Sequence, residues 1–399
     1  MAIIRFTDCK LCDEGQVVEQ DLYVNTESGK IVDPSFNVDK VIDLHGLILT
    51  PGFIDIQING CFGFDFSHYA TDEEYLTGYD KCLKKLVKTG TTSLCPTMIT
   101  STSKNYSKIL PFLEGQKRND RTESLGAHCE GPIISRKKKG CHDPRNLKTP
   151  KNKKEFYEVY GGRQNFQYMK IITAAPELDG FLDLIPEITG NSVVYSIGHT
   201  TATFEQSLAA VKNGATMITH MFNAMPQPHH RNPGPIGLEG LEDEGMCPYF
   251  GLISDGIHIH PTYINLIYNA NKERCCLVTD AMNLIGLPDG EYPWEDRFII
   301  KSGRSLILKG TDTIAGSATE QAKCMRNLRE WCDISLPEAV KCVTNNPAKS
   351  VHVDDHKGFL RIGYDADLCV LDKHGNVKQV FKLGNKVYDM KEETVKGRL

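Results

Sequence analysis

The chain has 399 residues, 40% of them apolar and 24% charged, as in a water-soluble globular protein. That length holds one large α/β barrel with a small accessory domain, or about two to three ordinary domains. A net charge of −5 gives no general attraction for nucleic acid or anionic lipid, and the apolar runs are too short to cross a bilayer.

The first residues turn polar too early for a secretory signal, which leaves the cytoplasm as the expected compartment. Residues 3–6, 21–24, 30–32 and 47–49 read as short strands, punctuated by Gly15, Gly29 and Gly46. Residues 358–363, 366–372 and 377–388 repeat that pattern near the other end. Neither β-rich piece is large enough for its own core. The expectation is one β-sandwich built from residues 1–50 and 351–399, beside a barrel domain over 51–350. The charged residues Lys391 to Leu399 are expected to fray.

Between the two ends, strand-like and helix-like segments alternate, the signature of parallel βα units. Strands are predicted over 52–58, 92–96, 125–130, 169–173, 193–199, 216–220, 250–255 and 275–280, the number an α/β (β/α)₈ TIM barrel needs. A helix is predicted over 73–89, with Leu76, Tyr79, Leu83, Leu86 and Val87 at helical spacing and Gly90 as its stop. Another spans 203–213, capped by Thr203 and ended by Gly214. A late helix is predicted over 337–344. The 14 cysteines include Cys129, Cys275, Cys276 and Cys369 inside apolar runs, where a free thiol serves as a small hydrophobe. Cys9 and Cys12 form one isolated CxxC, a weak sign of metal or redox chemistry.

Four of the apolar runs end in residues able to hold a metal or move a proton: Glu130, His199, His220 and Asp280. Parallel barrel strands open their C-terminal ends into one mouth, so these four should meet there. Two imidazoles and a carboxylate suit a zinc-type divalent ion and leave a position for water. A lone histidine at a strand end is ordinarily a satisfied core residue. Several at the ends of neighbouring strands are harder to explain that way, because unpaired charge inside a barrel is costly. Asp280 could equally cap a turn, but facing an activated water a carboxylate is the expected proton acceptor.

On the first strand, Asp55, Gln57 and Asn59 share one face, and the two amides are poor ligands for a transition metal. His142 lies on the loop after Glu130, either solvated or touching substrate. Asn223 and Ala224 follow His220 closely. Arg231 and His258 could hold an anion such as phosphate, or simply pair with a local acid. The chain has no Walker loop and no GxGxxG, so nucleotide use is unsupported.

Pro51-Gly-Phe-Ile-Asp-Ile-Gln-Ile-Asn-Gly60, His128-Cys-Glu-Gly-Pro132, Ala174-Ala-Pro-Glu177, Ser196-Ile-Gly-His199, Thr219-His-Met-Phe-Asn-Ala-Met225, Asp255-Gly-Ile-His258, Val278-Thr-Asp-Ala281 and Ala315-Gly-Ser317 together resemble the motifs of the N-acetylglucosamine-6-phosphate deacetylase family of amidohydrolases. The resemblance implies one divalent metal, commonly zinc, held by Glu130, His199 and His220, with Asp280 as acid and base. It implies that Cys141 and His142 touch substrate, His142 aiding the acetyl carbonyl. Asn223, Ala224, Arg231, Asp255, Gly256, Ile257, His258, Ile314, Ala315 and Gly316 would line the sugar-phosphate site. It further implies a homodimer acting in amino-sugar metabolism, with phosphate contacts that cross its interface. Gln57 and Asn59 match members that lack a second metal. Cys141 departs from the small or hydroxylated residue of the family, and nothing carries over to residues 286–290. Two other readings are a cyclic amidase on the same barrel and a metal-free scaffold with the amidohydrolase fold.

Overall fold

A computed structural model describes residues 3–34, 37–294 and 297–396. Eight parallel strands form the barrel: β1 (Phe53–Ile58), β2 (Thr91–Ile99), β3 (Ala127–Glu130), β4 (Met169–Ala174), β5 (Val194–Ile197), β6 (Ala215–Ile218), β7 (Tyr249–Ile253) and β8 (Cys275–Val278). Each pairs with the next in parallel register from β1 to β8. Nearly all their residues are buried, as expected for strands with barrel core inside and helices outside. The predicted strands are all present, most a residue or two shorter at one end.

β8 meets β1 through side chains as well as backbone. The Gln321 amide donates to the carbonyls of Ile54 and Leu277 at 2.7 and 3.3 Å. Above it, Thr279 Oγ1 donates to Asp55 Oδ2 at 2.7 Å, and Asp280 N donates to the Gln57 carbonyl at 2.9 Å. Asp55 thus spans the barrel seam, and burial pushes its carboxyl up to about 7.

The helix predicted over 73–89 is Asp72–Leu86, capped by Thr71 and continued by a 3₁₀ turn over Val87–Thr89. It stops at Gly90, whose φ of 98° suits glycine; a Cβ there would lie 2.8 Å from the Phe53 ring. Phe204–Lys212 carries the expected Thr203 cap, and Gln206 completes a capping box. The late helix is Leu336–Lys341, and a second helix, Asn345–Ser350, follows it.

The chain ends form two sheets. One contains Ile3–Thr7, Leu22–Asn25, Lys30–Val32 and Lys40–Asp43; the other joins Lys10–Asp13, Gln16–Glu19 and Ile48–Pro51 to Leu368–Leu371, Val377–Lys382 and Asn385–Asp389. Phe6 from the N-terminal piece meets Phe381 from the C-terminal piece edge to face, centroids 4.9 Å apart. Residues 358–363, expected as a strand, form turns instead. Where fraying was expected, Met390–Lys396 forms a helix on the last hairpin; Gly397 to Leu399 lie outside the described residues.

A buried ion cluster ties this sandwich to the closed end of the barrel. Glu123, in a short strand beside β2, receives Lys357 and Lys382, each at 2.6 Å. Both lysines also reach Asp367, and Lys357 reaches Asp365. Truncating one lysine strands buried negative charge. Lys382→Met should lower unfolding free energy by about 3–5 kcal/mol in urea titrations. An unshifted midpoint would show that the cluster contributes no net stability.

Candidate active site

The C-terminal ends of the barrel strands surround a cavity of about 230 Å³. Glu130 closes β3, and His199 and His220 lie just past β5 and β6. His199 Nε2 and His220 Nε2 stand 3.0 Å apart, and both face Glu130 Oε1, at 3.3 and 3.1 Å. All three side chains are buried.

His199 Nδ1 lies 2.8 Å from the Lys138 carbonyl, so Nδ1 carries the proton and Nε2 presents a lone pair. That lone pair confronts a second imidazole nitrogen and a carboxylate oxygen. With the lone pairs of both imidazoles and the carboxylate turned inward, the three would repel without a positive charge among them, and the donor set fits a divalent cation. Two imidazoles and one carboxylate select a transition-type ion over calcium or magnesium.

The backbone at these positions is unusual. His199, His220 and Asp280 have φ of 48°, 29° and 45°, left-handed values that non-glycine residues rarely adopt. Such strain, of order 1–3 kcal/mol each, persists only where neighbours enforce it. For His199 the enforcer is Glu177 of the Ala174-Ala-Pro-Glu177 motif. Its carboxylate accepts from the Thr200 hydroxyl, from Thr201 N at 2.6 Å and from Thr201 Oγ1 at 2.9 Å.

Asp280 faces the same cavity. Asn59 Nδ2 donates to Asp280 Oδ1 at 2.7 Å, while Gln57 Nε2 donates to Glu130 Oε1 at 2.8 Å and to Asp280 Oδ1 at 3.4 Å. The two amides orient carboxylates. Burial, then the negative charge of Glu130, raises Asp280 above the usual carboxylate range.

His142 stands beside the cluster, its Nε2 3.7 Å from Glu130 Oε2. Its Nδ1 accepts from Thr100 N at 3.3 Å, which leaves the proton on Nε2, toward the cavity. Burial pushes its pKa down to about 4, so it is a neutral N–H donor at neutral pH. His128 is different: its ring nitrogens bond Ile56 O and Thr173 Oγ1 inside the barrel, away from the cavity.

Among the other expected contacts, Cys141, Asn223, Ala224, His258, Ile314, Ala315 and Gly316 line the cavity. Asp255, Gly256 and Ile257 do not. Asp255 instead orients His258, Oδ2 lying 2.7 Å from its Nδ1, and also accepts from Ile257 N and His258 N. Arg231 is exposed on the loop beyond His230, outside the cavity of its own chain. Asp65, Ser67, Ile99, Met282 and Trp294 line the cavity without having been singled out from sequence. Asp65 and Ser67 follow β1 closely, Asp65 across the Phe62-Gly63 turn of a short hairpin, and that nearness to β1 was the available signal.

Trp294 comes from an inserted antiparallel sheet between β8 and the helix Gln321–Cys332. Its strands are β9 (Gly290–Trp294), β10 (Arg297–Ser302), β11 (Ser305–Leu308) and β12 (Ile314–Ser317).

A (β/α)₈ barrel whose strand ends gather two histidines and carboxylates around one cavity defines a metal-dependent hydrolase of amidohydrolase type, and the profile of the amidohydrolase family matches residues 48–387. The N-acetylglucosamine-6-phosphate deacetylase of Caenorhabditis elegans is 38% identical over 97% of this chain and 94% of its own length. The protein of that name from Homo sapiens is 33% identical over 97% of this chain and 96% of its own. Among solved structures, N-acetylglucosamine-6-phosphate deacetylase from Pasteurella multocida superposes with a TM-score of 0.85 at 26% identity, covering 96% of this chain and 99% of that one. A mutant of the Mycobacterium smegmatis deacetylase, in complex with N-acetyl-D-glucosamine-6-phosphate, gives 0.82 at 27% identity, covering 97% and 99%. The chain belongs to the N-acetylglucosamine-6-phosphate deacetylases of the amidohydrolase family.

Elemental analysis of protein purified without chelator should find about one divalent ion per chain. His220→Ala should lose most of it while Arg231→Ala keeps it. Equal metal in the two variants would exclude the proposed ligand set.

Proposed function

We propose that this chain hydrolyses the acetamide of N-acetyl-D-glucosamine 6-phosphate to D-glucosamine 6-phosphate and acetate. The observation that carries this reading is the convergence of Glu130, His199 and His220 with His142 and Asp280 on one cavity. Full-length relatives bearing that activity's name support it. A cyclic amidase needs paired histidines where Gln57 and Asn59 stand, and a scaffold needs none of the converging groups.

Glu130, His199 and His220 would hold the ion, which when bound would supply Lewis acidity, lowering the pKa of water from about 15.7 toward 7. We assign it as zinc, on the basis of the N/O donor set. His142 Nε2–H donates to the acetyl oxygen as negative charge develops there. Asp280 takes the proton from the attacking water and delivers it to the sugar nitrogen as the C–N bond breaks. The C–O bond forms as the C–N bond breaks, the amine leaves with the delivered proton, and the new carboxylic acid loses its hydroxyl proton to the amine or to water and leaves as acetate. His258, braced by Asp255, together with Asn223 and the Ala224 backbone, receives the polar sugar phosphate at the mouth.

Arg231 lies outside its own cavity, which favours a homodimer in which Arg231 of one copy serves the phosphate of the other. The exposed Tyr263 and Leu266, on the helix that packs against Phe222, offer apolar surface for such a contact. We read residues 51–350 as the catalytic barrel and 1–50 with 351–399 as its supporting sandwich. Among the described residues no helix is long and apolar enough to cross a membrane. All 14 cysteines are free thiols, which supports a reducing, cytoplasmic setting.

Asp280→Asn should keep fold and metal but lower kcat by about 10²–10⁴-fold; near-normal turnover would remove Asp280 from its role. Arg231→Ala should raise KM for the phosphorylated sugar and leave kcat nearly unchanged. A loss confined to kcat would rule out its role as an anchor.

A further inference from the structure

An amide under hydrolysis passes through a tetrahedral carbon with four groups: the carbonyl oxygen, the incoming oxygen, the departing nitrogen and the acyl chain. On the function proposed above, on which this inference rests, His142 takes the first and Asp280 faces the second. The nitrogen leads to the sugar, toward Asn223 and His258 at the polar mouth. The fourth direction is fixed by what stands between His142 and Asp280.

One wall of that space is apolar. Cys141, one residue before His142, and Met282, two residues after Asp280, pack on the same cluster, with Trp294 and Ala315 among its members. All four also line the cavity. An acetyl methyl is the only fully apolar part of the proposed substrate, so it belongs against this wall.

The wall is also held firmly. Met282 N donates to Ser317 O at 2.9 Å, docking β12 beside Asp280. Gly316 is so close that an added Cβ would lie 2.7 Å from Met282 Cγ. Trp294 pairs with Arg297 as the last pair of the β9–β10 ladder, and the Arg297 guanidinium lies 4.7 Å over its ring. Trp294 is only 7% exposed, so its side chain is packed among neighbours that must move if it does.

We propose that Trp294, delivered by this inserted sheet, closes the acyl end of the cavity and restricts the enzyme to acetyl-sized groups. The sugar and phosphate are recognised elsewhere, so Trp294 sets acyl length alone. One methylene at an apolar wall discriminates by about 10–200-fold.

The test measures acid release from the N-acetyl, N-propionyl and N-butyryl forms of glucosamine 6-phosphate. Unmodified protein, Trp294→Ala and Trp294→Phe are compared, each checked for metal content and melting temperature. The butyryl-to-acetyl ratio of kcat/KM should rise about 10–100-fold in Trp294→Ala and less in Trp294→Phe. An unchanged ratio, or an equal loss on all three substrates, would overturn the proposal. If Trp294→Ala does not fold, the graded ratios of Trp294→Phe and Trp294→Leu decide it. Unmodified protein that releases no acid from any of the three would defeat the proposed function, and this inference with it. Activity on the acetyl form with an unmoved ratio would defeat only the role of Trp294.

Discussion

Two imidazole nitrogens 3.0 Å apart, both pressed on one buried carboxylate oxygen, demand a positive charge among them. Much of the upper barrel can be read as the apparatus that maintains this demand. The parallel strands bring residues 90 positions apart in sequence to one point. The Lys138 carbonyl fixes the His199 tautomer, and Glu177 clamps the loop that follows it. Left-handed backbone at His199, His220 and Asp280 turns each side chain back over the mouth at the end of its strand. Gln57 then bridges the Glu130 and Asp280 carboxylates through its amide, and Asn59 donates a second amide hydrogen bond to Asp280. Amides can do this while staying neutral, so the barrel seam gains orientation without another buried charge.

The eight strands were legible because burial on both faces leaves apolar runs that few other structures produce. Their ends were legible for the opposite reason: Glu130, His199, His220 and Asp280 interrupt such runs with groups that need a partner. Resemblance to a known family then sharpened the roles of individual residues. It placed His258 and the stretch from Ile314 to Gly316 at the cavity, where the structure also has them.

Other features were hidden for physical reasons. β10 and β11 alternate exposed and buried residues over only six and four positions, while β9 is mostly exposed and β12 mostly buried, so the four short segments share no common periodic signal. Trp294 owes its importance to that sheet, so its place could not be read from its neighbours in sequence. Asp255 was grouped with His258 because one family motif, Asp255-Gly-Ile-His258, holds both; in space the carboxylate turns inward to brace the imidazole. Met390–Lys396 is charged like a frayed end but gains contact with the last hairpin. Tertiary packing overrode composition there. The ion cluster of Glu123, Lys357, Lys382, Asp365 and Asp367 joins segments more than 200 residues apart, which no local pattern can show.

The central claim is spatial: a single cation lies where Glu130, His199 and His220 converge, within reach of Asp280. Anomalous diffraction from crystals of the metal-loaded protein tests it most directly. The account requires one strong peak about 2.0–2.2 Å from His199 Nε2, His220 Nε2 and a Glu130 carboxylate oxygen. A peak held by other residues, in crystals whose protein still releases acetate, would contradict it.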